Sequence, residues 1–452
     1  MNEKQCNIIK KVCILLGILL VLMIAVIVFD NTVDRSGWME KDGTYSYRDF
    51  HGRKITGWLT LEDHTYYFGE DTIMVSGWQE IDGNHYYFDA AGIMATDWKN
   101  VDSKRCYFGS DGILRTGWLE LNGKQYYFDK EGAMVSGWQD IDGHTVYFGE
   151  NGAQVFSWNT IEGSTYYFDE EGHLVTGYTV LEDNHYFFLE DGQMYTGWED
   201  REDGRRYYAE DGVQAFGWTE IEGSLYFFSQ DGIMQTGWMS VGEYRYYLHK
   251  DGSAAVGPTE IDGELYHFSP KGIQVVLVNS SHKVPGYYEP DLVDYIPWHQ
   301  ISSVCLEPLK QMLADCVAAG YEYEFNSAYR SIKTQQEILW LRTQEYISAG
   351  YGEAEAYAEA RLTVALPGTS EHHLGLAVDV LNVKKNERKA LDWLGEHCWE
   401  YGFIVRYTAE KAHITGIVNE PWHFRYVGKE VSMDMKDSGL CLEEYLGAVP
   451  VE

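Results

Sequence analysis

At 452 residues the chain is long enough for two or three domains. Aromatic residues make up 15% of it, with 35 Tyr and 15 Trp, more than cores alone require. The formal net charge of −35 repels nucleic acid and polyphosphate backbones and tolerates cationic groups, so no nucleic-acid partner is expected.

Residues 1–11 form a short tail carrying Lys4, Lys10 and Lys11. Residues 12–29 are an unbroken apolar run of 18, the lower range for a membrane-spanning helix, and Asp30 and Asp34 follow. Positive charge before the run places the tail in the cytoplasm and residues 30–452 outside the membrane. A cleaved signal peptide competes with this, but the run ends in Val-Ile-Val-Phe-Asp-Asn, without a small-x-small site. Of seven cysteines, Cys6 and Cys13 belong to the tail and the apolar run, while Cys106, Cys305, Cys316, Cys398 and Cys441 show no Cys-x-x-Cys pattern and read as buried free thiols, with an unassigned bridge permitted among the last four outside the cell.

From residue 37 to 274 the chain repeats with a period of 20. Trp recurs at 38, 58, 78, 98, 118, 138, 158, 198, 218 and 238, with Tyr178 and Pro258 in the two remaining places. Residues 76–94 show the unit: an Asp82-Gly83 turn signal, the β-prone run Tyr86-Tyr87-Phe88, then Gly92. Each unit is expected to be a short β-hairpin, and the twelve to stack into a solenoid, because one hairpin cannot bury its own face. The Trp rows are either that solenoid's core or a surface of amphipathic aromatics. These units resemble the cell-wall-binding repeats of choline-binding, glucan-binding and clostridial-toxin proteins. The resemblance implies a wall polymer as partner, choline-bearing teichoic acid or a glycan. Aromatics such as Trp78, Trp118, Trp138, Tyr86 and Tyr126 of neighbouring units would hold it. One departure stands out. Choline-binding repeats generally add a second Trp just before the paired Tyr, where this chain has Thr65, His85, Arg105, Gln125 and Thr165.

The pattern fades after Gly272, and residues 279–286 read as a linker, with a domain boundary between 274 and 275. Helices are expected over 303–319, 334–348, 353–366, 389–401 and 442–446, with strands around 322–327, 375–381 and 422–427. Together they make an α+β domain. Within it stand His372, Asp379, Glu420 and His423. Two imidazoles and one carboxylate are a usual ligand set for a catalytic zinc, with the fourth position open to water. Glu420, three residues before His423, can take the proton from that water. Residues 420 and 423 fall on opposite faces of a regular strand, so Glu420 must sit at its bent start beside Pro421. His373, His397 and His413 read as ordinary structural histidines. No H-E-x-x-H helix is present.

Three segments carry a second resemblance: Ser-x-His-x-x-Gly-x-Ala-x-Asp at 370–379, Glu-x-Trp-His-x-Arg-Tyr at 420–426, and Ser-Ala-Tyr-Arg-Ser at 327–331 followed by Gln335. They resemble the VanY-like zinc peptidases, the D-alanyl-D-alanine carboxypeptidases of the vancomycin-resistance type, over about residues 275–446. The resemblance implies zinc on His372, Asp379 and His423, and Glu420 as general base. It also implies Arg330 polarising the scissile carbonyl, and Ser370 and Gln335 near the substrate. The expected protein is therefore multidomain: a transmembrane helix (12–29), an all-β hairpin-repeat solenoid (30–274) and an α+β zinc peptidase (275–452). Held at the membrane and the wall, it would remove terminal D-alanine from peptidoglycan stem peptides. The alternatives are an L,D-carboxypeptidase or wall endopeptidase of the same family, and a non-catalytic wall-binding adhesin.

Overall fold

A computed structural model describes residues 3–32, 34–383 and 389–448. Met1 and Asn2 of the expected tail, Val33, and positions 384–388 and 449–452 of the expected peptidase domain lie outside the described residues. Two compact units divide the chain between Tyr195 and Thr196.

The first unit opens with α1 (Glu3–Thr32), whose segment Lys4–Val28 contains an 18-residue stretch with a mean hydropathy of 3.1, in which no residue is buried. A helix this long and apolar is able to cross a membrane. Hairpins follow, each of two five-residue strands, from β1 (Gly37–Lys41) and β2 (Thr44–Arg48) to β15 (Gly177–Leu181) and β16 (Asn184–Phe188). Asp82 and Gly83 have φ of 53° and 77°. Two left-handed residues in succession make the tight turn whose twist matches paired strands, as the Asp-Gly signal predicts. Each hairpin is tied to the one before it: Met94 N–H donates to Thr65 O at 2.8 Å, and Met134 N–H to Arg105 O at 2.8 Å.

Strand alternation sends Phe68 to one face and Tyr67, opposite Trp58, to the other. The core is the phenylalanine row. Phe68, Phe88, Phe108, Phe128, Phe148, Phe168 and Phe188 are fully buried, each stabilising the stack by about 1.5–3 kcal/mol. The tryptophans stand at its margin: Trp38, Trp58, Trp78, Trp118, Trp138 and Trp158 remain 38–44% exposed, and Trp98 is less exposed.

The second unit holds the hairpins from β17 (Gly197–Arg201) and β18 (Gly204–Tyr208) to β23 (Gly257–Ile261) and β24 (Glu264–Phe268), and the α+β domain. That domain begins with a hairpin the sequence did not signal, β25 (Leu292–Ile296) and β26 (His299–Ser302). In chain order there follow α2 (Leu306–Ala318), β27 (Tyr323–Ser327), α3 (Ile332–Ser348), α4 (Glu353–Ala360), β28 (Ala377–Asn382) and α5 (Lys389–His397). The chain ends with β29 (Phe403–Tyr407), α6 (Ala412–Thr415), β30 (Glu420–Tyr426), α7 (Lys429–Ser438) and α8 (Leu442–Tyr445). The helix expected over 353–366 stops at Ala360, and β29 and α7 were not anticipated. The sheet is antiparallel, in the order β27-β28-β30-β29. Leu309, Met312 and Leu313 of α2 and Leu394 of α5 pack with Val378, Val380 and Phe424 of the sheet.

The boundary expected at 274/275 falls inside a second apolar cluster. It joins Tyr246, Ile273, Val275 and Leu277 to Ile404, Val431, Leu442 and Leu446. Tyr426 Oη donates to Glu243 Oε2 at 2.9 Å. Gly428, at φ 86°, lets Tyr244 pack so closely that a Cβ there would stand 2.7 Å from the ring. The hairpin of β21 (Gly237–Val241) and β22 (Tyr244–Leu248) is thus seated against β30 and its exit. A fragment starting at residue 275 should therefore melt below a fragment of residues 196–452 in calorimetry. Leu442→Ala, at a fully buried position in that cluster, should lower stability by about 2–5 kcal/mol in denaturant unfolding.

Candidate active site

The register of β28 and β30 sets Asp379 opposite His423. His372 arrives from a single 3-10 turn, Glu371–Leu374, which ends on left-handed Gly375. His372 Nε2 lies 3.3 Å from Asp379 Oδ2, and His423 Nδ1 lies 3.2 Å from Asp379 Oδ1. The candidate ligand atoms of the three buried residues fall within 4.8 Å of one another. Glu420 is the first residue of β30. It pairs with Tyr407 where the ladder slips a register, and its Oε2 comes 4.0 Å from His423 Nδ1. The bent start inferred from spacing is present.

Each imidazole is oriented by its other nitrogen. His372 Nδ1 donates to Ala328 O at 2.7 Å, leaving the Nε2 lone pair turned to the cluster. Burial lowers the pKa of His372 to about 4, so the ring is neutral. His423 Nε2 faces Glu371 Oε2 at a long 3.4 Å, leaving Nδ1 for the cluster. Burial alone would lower the pKa of His423, but Asp379 and Glu371 outweigh it and push it up to about 9. Burial, with Asp379 adding to it, raises Glu420 to about 7. Asp379 Oδ1 is buried without a hydrogen-bond partner. Two imidazole nitrogens and a carboxylate converging on one point, each imidazole backed by an oxygen, fit a zinc ion with an open position.

Arg330 is fixed rather than free. Its Nε donates to Ser327 Oγ at 2.8 Å, Nη1 to Gln335 Oε1 at 3.4 Å, and Nη2 to Asp379 Oδ2. Gln335 in turn donates to Ala365 O at 2.9 Å, so it braces Arg330 as well as facing the cavity. That cavity, of about 630 Å³, is lined by Arg330, Ser370, Glu420 and Trp422 among others. His373 is structural, as expected: its Nδ1 donates to Arg330 O and its Nε2 accepts from Gly368 N–H.

Sequence reasoning missed Glu371. Its Oε1 accepts from Arg406 Nε and Arg425 Nη1, both at 2.9 Å, and its Oε2 faces the metal-ligand candidate His423. The available signal was charge inside apolar runs: Arg406 in Phe-Ile-Val-Arg-Tyr and Arg425 in His-Phe-Arg-Tyr.

The repeat aromatics singled out by sequence lie in the first unit. Trp138 meets Tyr147 and Tyr166, with centroids 4.9 and 5.0 Å away. Tyr86 packs on Trp58 at 5.0 Å and Tyr126 on Trp98 at 5.2 Å. Trp78 and Trp118 have Tyr87 and Tyr127 beside them, but Cys106 and Val146 occupy the second tyrosine's place.

The family model for D-alanyl-D-alanine carboxypeptidase, VanY, matches residues 298–429. A D-alanyl-D-alanine carboxypeptidase of Enterococcus faecalis is 42% identical over 175 residues, covering 38% of this chain and 65% of its own length. A bifunctional D-Ala-D-Ala dipeptidase and carboxypeptidase of Enterococcus gallinarum is 36% identical over 184 residues, 37% of this chain and 91% of its own. The chain belongs to the VanY family. A solved VanY D,D-pentapeptidase in complex with Zn(II) is 40% identical over 38% of this chain and 97% of its own, with a TM-score of 0.37. Choline-binding-repeat models match residues 75–111, 95–136, 135–173 and 215–257, and a cell wall binding repeat matches 56–71.

In this VanY domain Glu371→Ala strands two buried arginines and should cost about 3–5 kcal/mol in unfolding. Glu371→Gln should fold but bind zinc about 10–100-fold more weakly, because His423 is aimed less firmly. Zinc at Nδ1 must also displace a proton from His423. Affinity should therefore rise about tenfold per pH unit below the pKa of His423, measured against a chelating indicator at each pH.

Proposed function

We propose that this chain is a membrane-anchored, wall-held zinc D,D-carboxypeptidase that releases terminal D-alanine from peptidoglycan stem peptides. The observation that carries this is the buried His372–Asp379–His423 set, with Glu420 4.0 Å from His423 Nδ1 at an open cavity. The identity to carboxypeptidases over the same residues supports it. Bound zinc supplies Lewis acidity and a water acidic enough to ionise near neutral pH. Glu420, its pKa raised by burial, takes that proton and returns it to the leaving amine. Arg330, held by Ser327 and Gln335, offers a planar cation to the developing oxyanion or to the terminal carboxylate. Ser370 stands in the cavity wall for substrate contact. The apolar α1 supports the anchor, and the repeats support attachment to a wall polymer.

Glu420→Gln should retain zinc while kcat falls by about 10²–10⁴-fold, because an amide cannot accept the proton. Mass spectrometry of defined stems should show D-alanine leaving pentapeptides, little cleavage once the terminal carboxylate is amidated, and no inhibition by β-lactams. Preference for tetrapeptide stems would transfer the assignment to an L,D-carboxypeptidase. Protease added to intact, wall-stripped cells should digest everything beyond about residue 30 and leave α1 with the membrane; a mature N-terminus near residue 30 would contradict the anchor.

A further inference from the structure

Seven of the ten hairpin tryptophans meet two tyrosines, and these seven fall into two groups. Trp38, Trp58, Trp138 and Trp158 each meet one tyrosine of their own hairpin and one of the next, with centroids 4.9–5.4 Å away. These four remain 38–44% exposed. Trp98, Trp198 and Trp238 have the same pair of tyrosines at 4.8–5.3 Å but are less exposed than those four. A guanidinium of the chain covers each of them. Arg105 lies 4.6 Å from the Trp98 ring, Arg205 4.2 Å from Trp198, and Arg245 3.9 Å from Trp238. Asp200 braces Arg205 at 3.2 Å.

Each arginine follows its tryptophan by seven residues, on the partner strand. In the register Trp98↔Tyr107 and Asn100↔Arg105, alternation puts Arg105 on the tryptophan's face. At the same place beside Trp58, Trp138 and Trp158 the chain has Thr65, Thr145 and Thr165.

We propose that this position is a gate. Threonine leaves the two-tyrosine cage open to a quaternary ammonium group of the wall polymer, whereas arginine fills it from within. The proposal rests on the reading of the repeats as wall-binding modules. An indole face attracts cations through its ring quadrupole, and the three seated guanidiniums show which chemistry these faces accept. A cation tethered on the adjoining strand pays no translational entropy, so its effective concentration exceeds that of free ligand. The net charge of −35 further favours cations at any face left open.

The test is a reciprocal swap in the detergent-solubilised full chain, with choline as the titrant in calorimetry. Replacing Arg105, Arg205 and Arg245 together by threonine should raise the number of sites by up to three. Replacing Thr65, Thr145 and Thr165 by arginine should lower it. Arg105→Lys, which keeps a cation at the ring, should gain nothing, and far-UV circular dichroism checks each fold. Choline binding by the parent chain with a site number unmoved by both swaps would overturn the gate alone. No choline binding by the parent or either swap, with retention on soluble glucan, would overturn the cation reading beneath it as well.

Discussion

Glu371 accepts from Arg406 and Arg425 in a place shut off from water, and Arg406 extends the contact to Glu443 at 2.9 and 2.5 Å. Desolvating four charged groups is offset only by such close pairing, so the network fixes geometry more than it adds net stability. Its reach is wide. Glu443 accepts from Asn279 Nδ2 at 3.0 Å, and Arg425 Nη2 donates to Val276 O at 2.7 Å. The segment leaving the last hairpin, strands β29 and β30, helix α8 and the imidazole of His423 therefore share one set of charges. The metal-ligand candidates depend on it, because His423 presents Nδ1 only while Nε2 faces Glu371.

The repeats obey a different constraint. A five-residue hairpin has two faces and too little area to bury either alone. Phenylalanines fill the face turned to neighbouring hairpins, and hydrogen bonds such as Leu114 N–H to His85 O lock successive units. Tryptophan packs one side against the phenylalanine of the next hairpin, as Trp38 does on Phe68 and Trp118 on Phe148, and stands partly outside, edge-on to tyrosine, where a ligand or an internal arginine can reach it.

Much of this was legible in sequence. The period of 20 announced the hairpins, and Asp-Gly announced their turns, because both signals are local. The clustering of His372, Asp379, Glu420 and His423, the candidate zinc and base set, was legible because ligand chemistry restricts residue type, and Pro421 explained how Glu420 could join them. Glu371 was not legible. A single acid beside a motif histidine looks like surface, and its partners lie 35 and 54 residues away. The edge strand at Phe403–Tyr407 carries Arg406 where alternation would favour an apolar residue, and the arginine is there to meet Glu371. The 274/275 boundary followed the fading of the repeat, whereas the apolar cluster runs through it.

A crystal structure with anomalous scattering at the zinc edge tests the central claim most directly. The account predicts zinc at about 2.0–2.2 Å from His372 Nε2, His423 Nδ1 and an Asp379 oxygen, with His423 Nε2 still facing Glu371. Zinc on His423 Nε2, with the ring turned away from Glu371, or zinc bound at other residues, would contradict it.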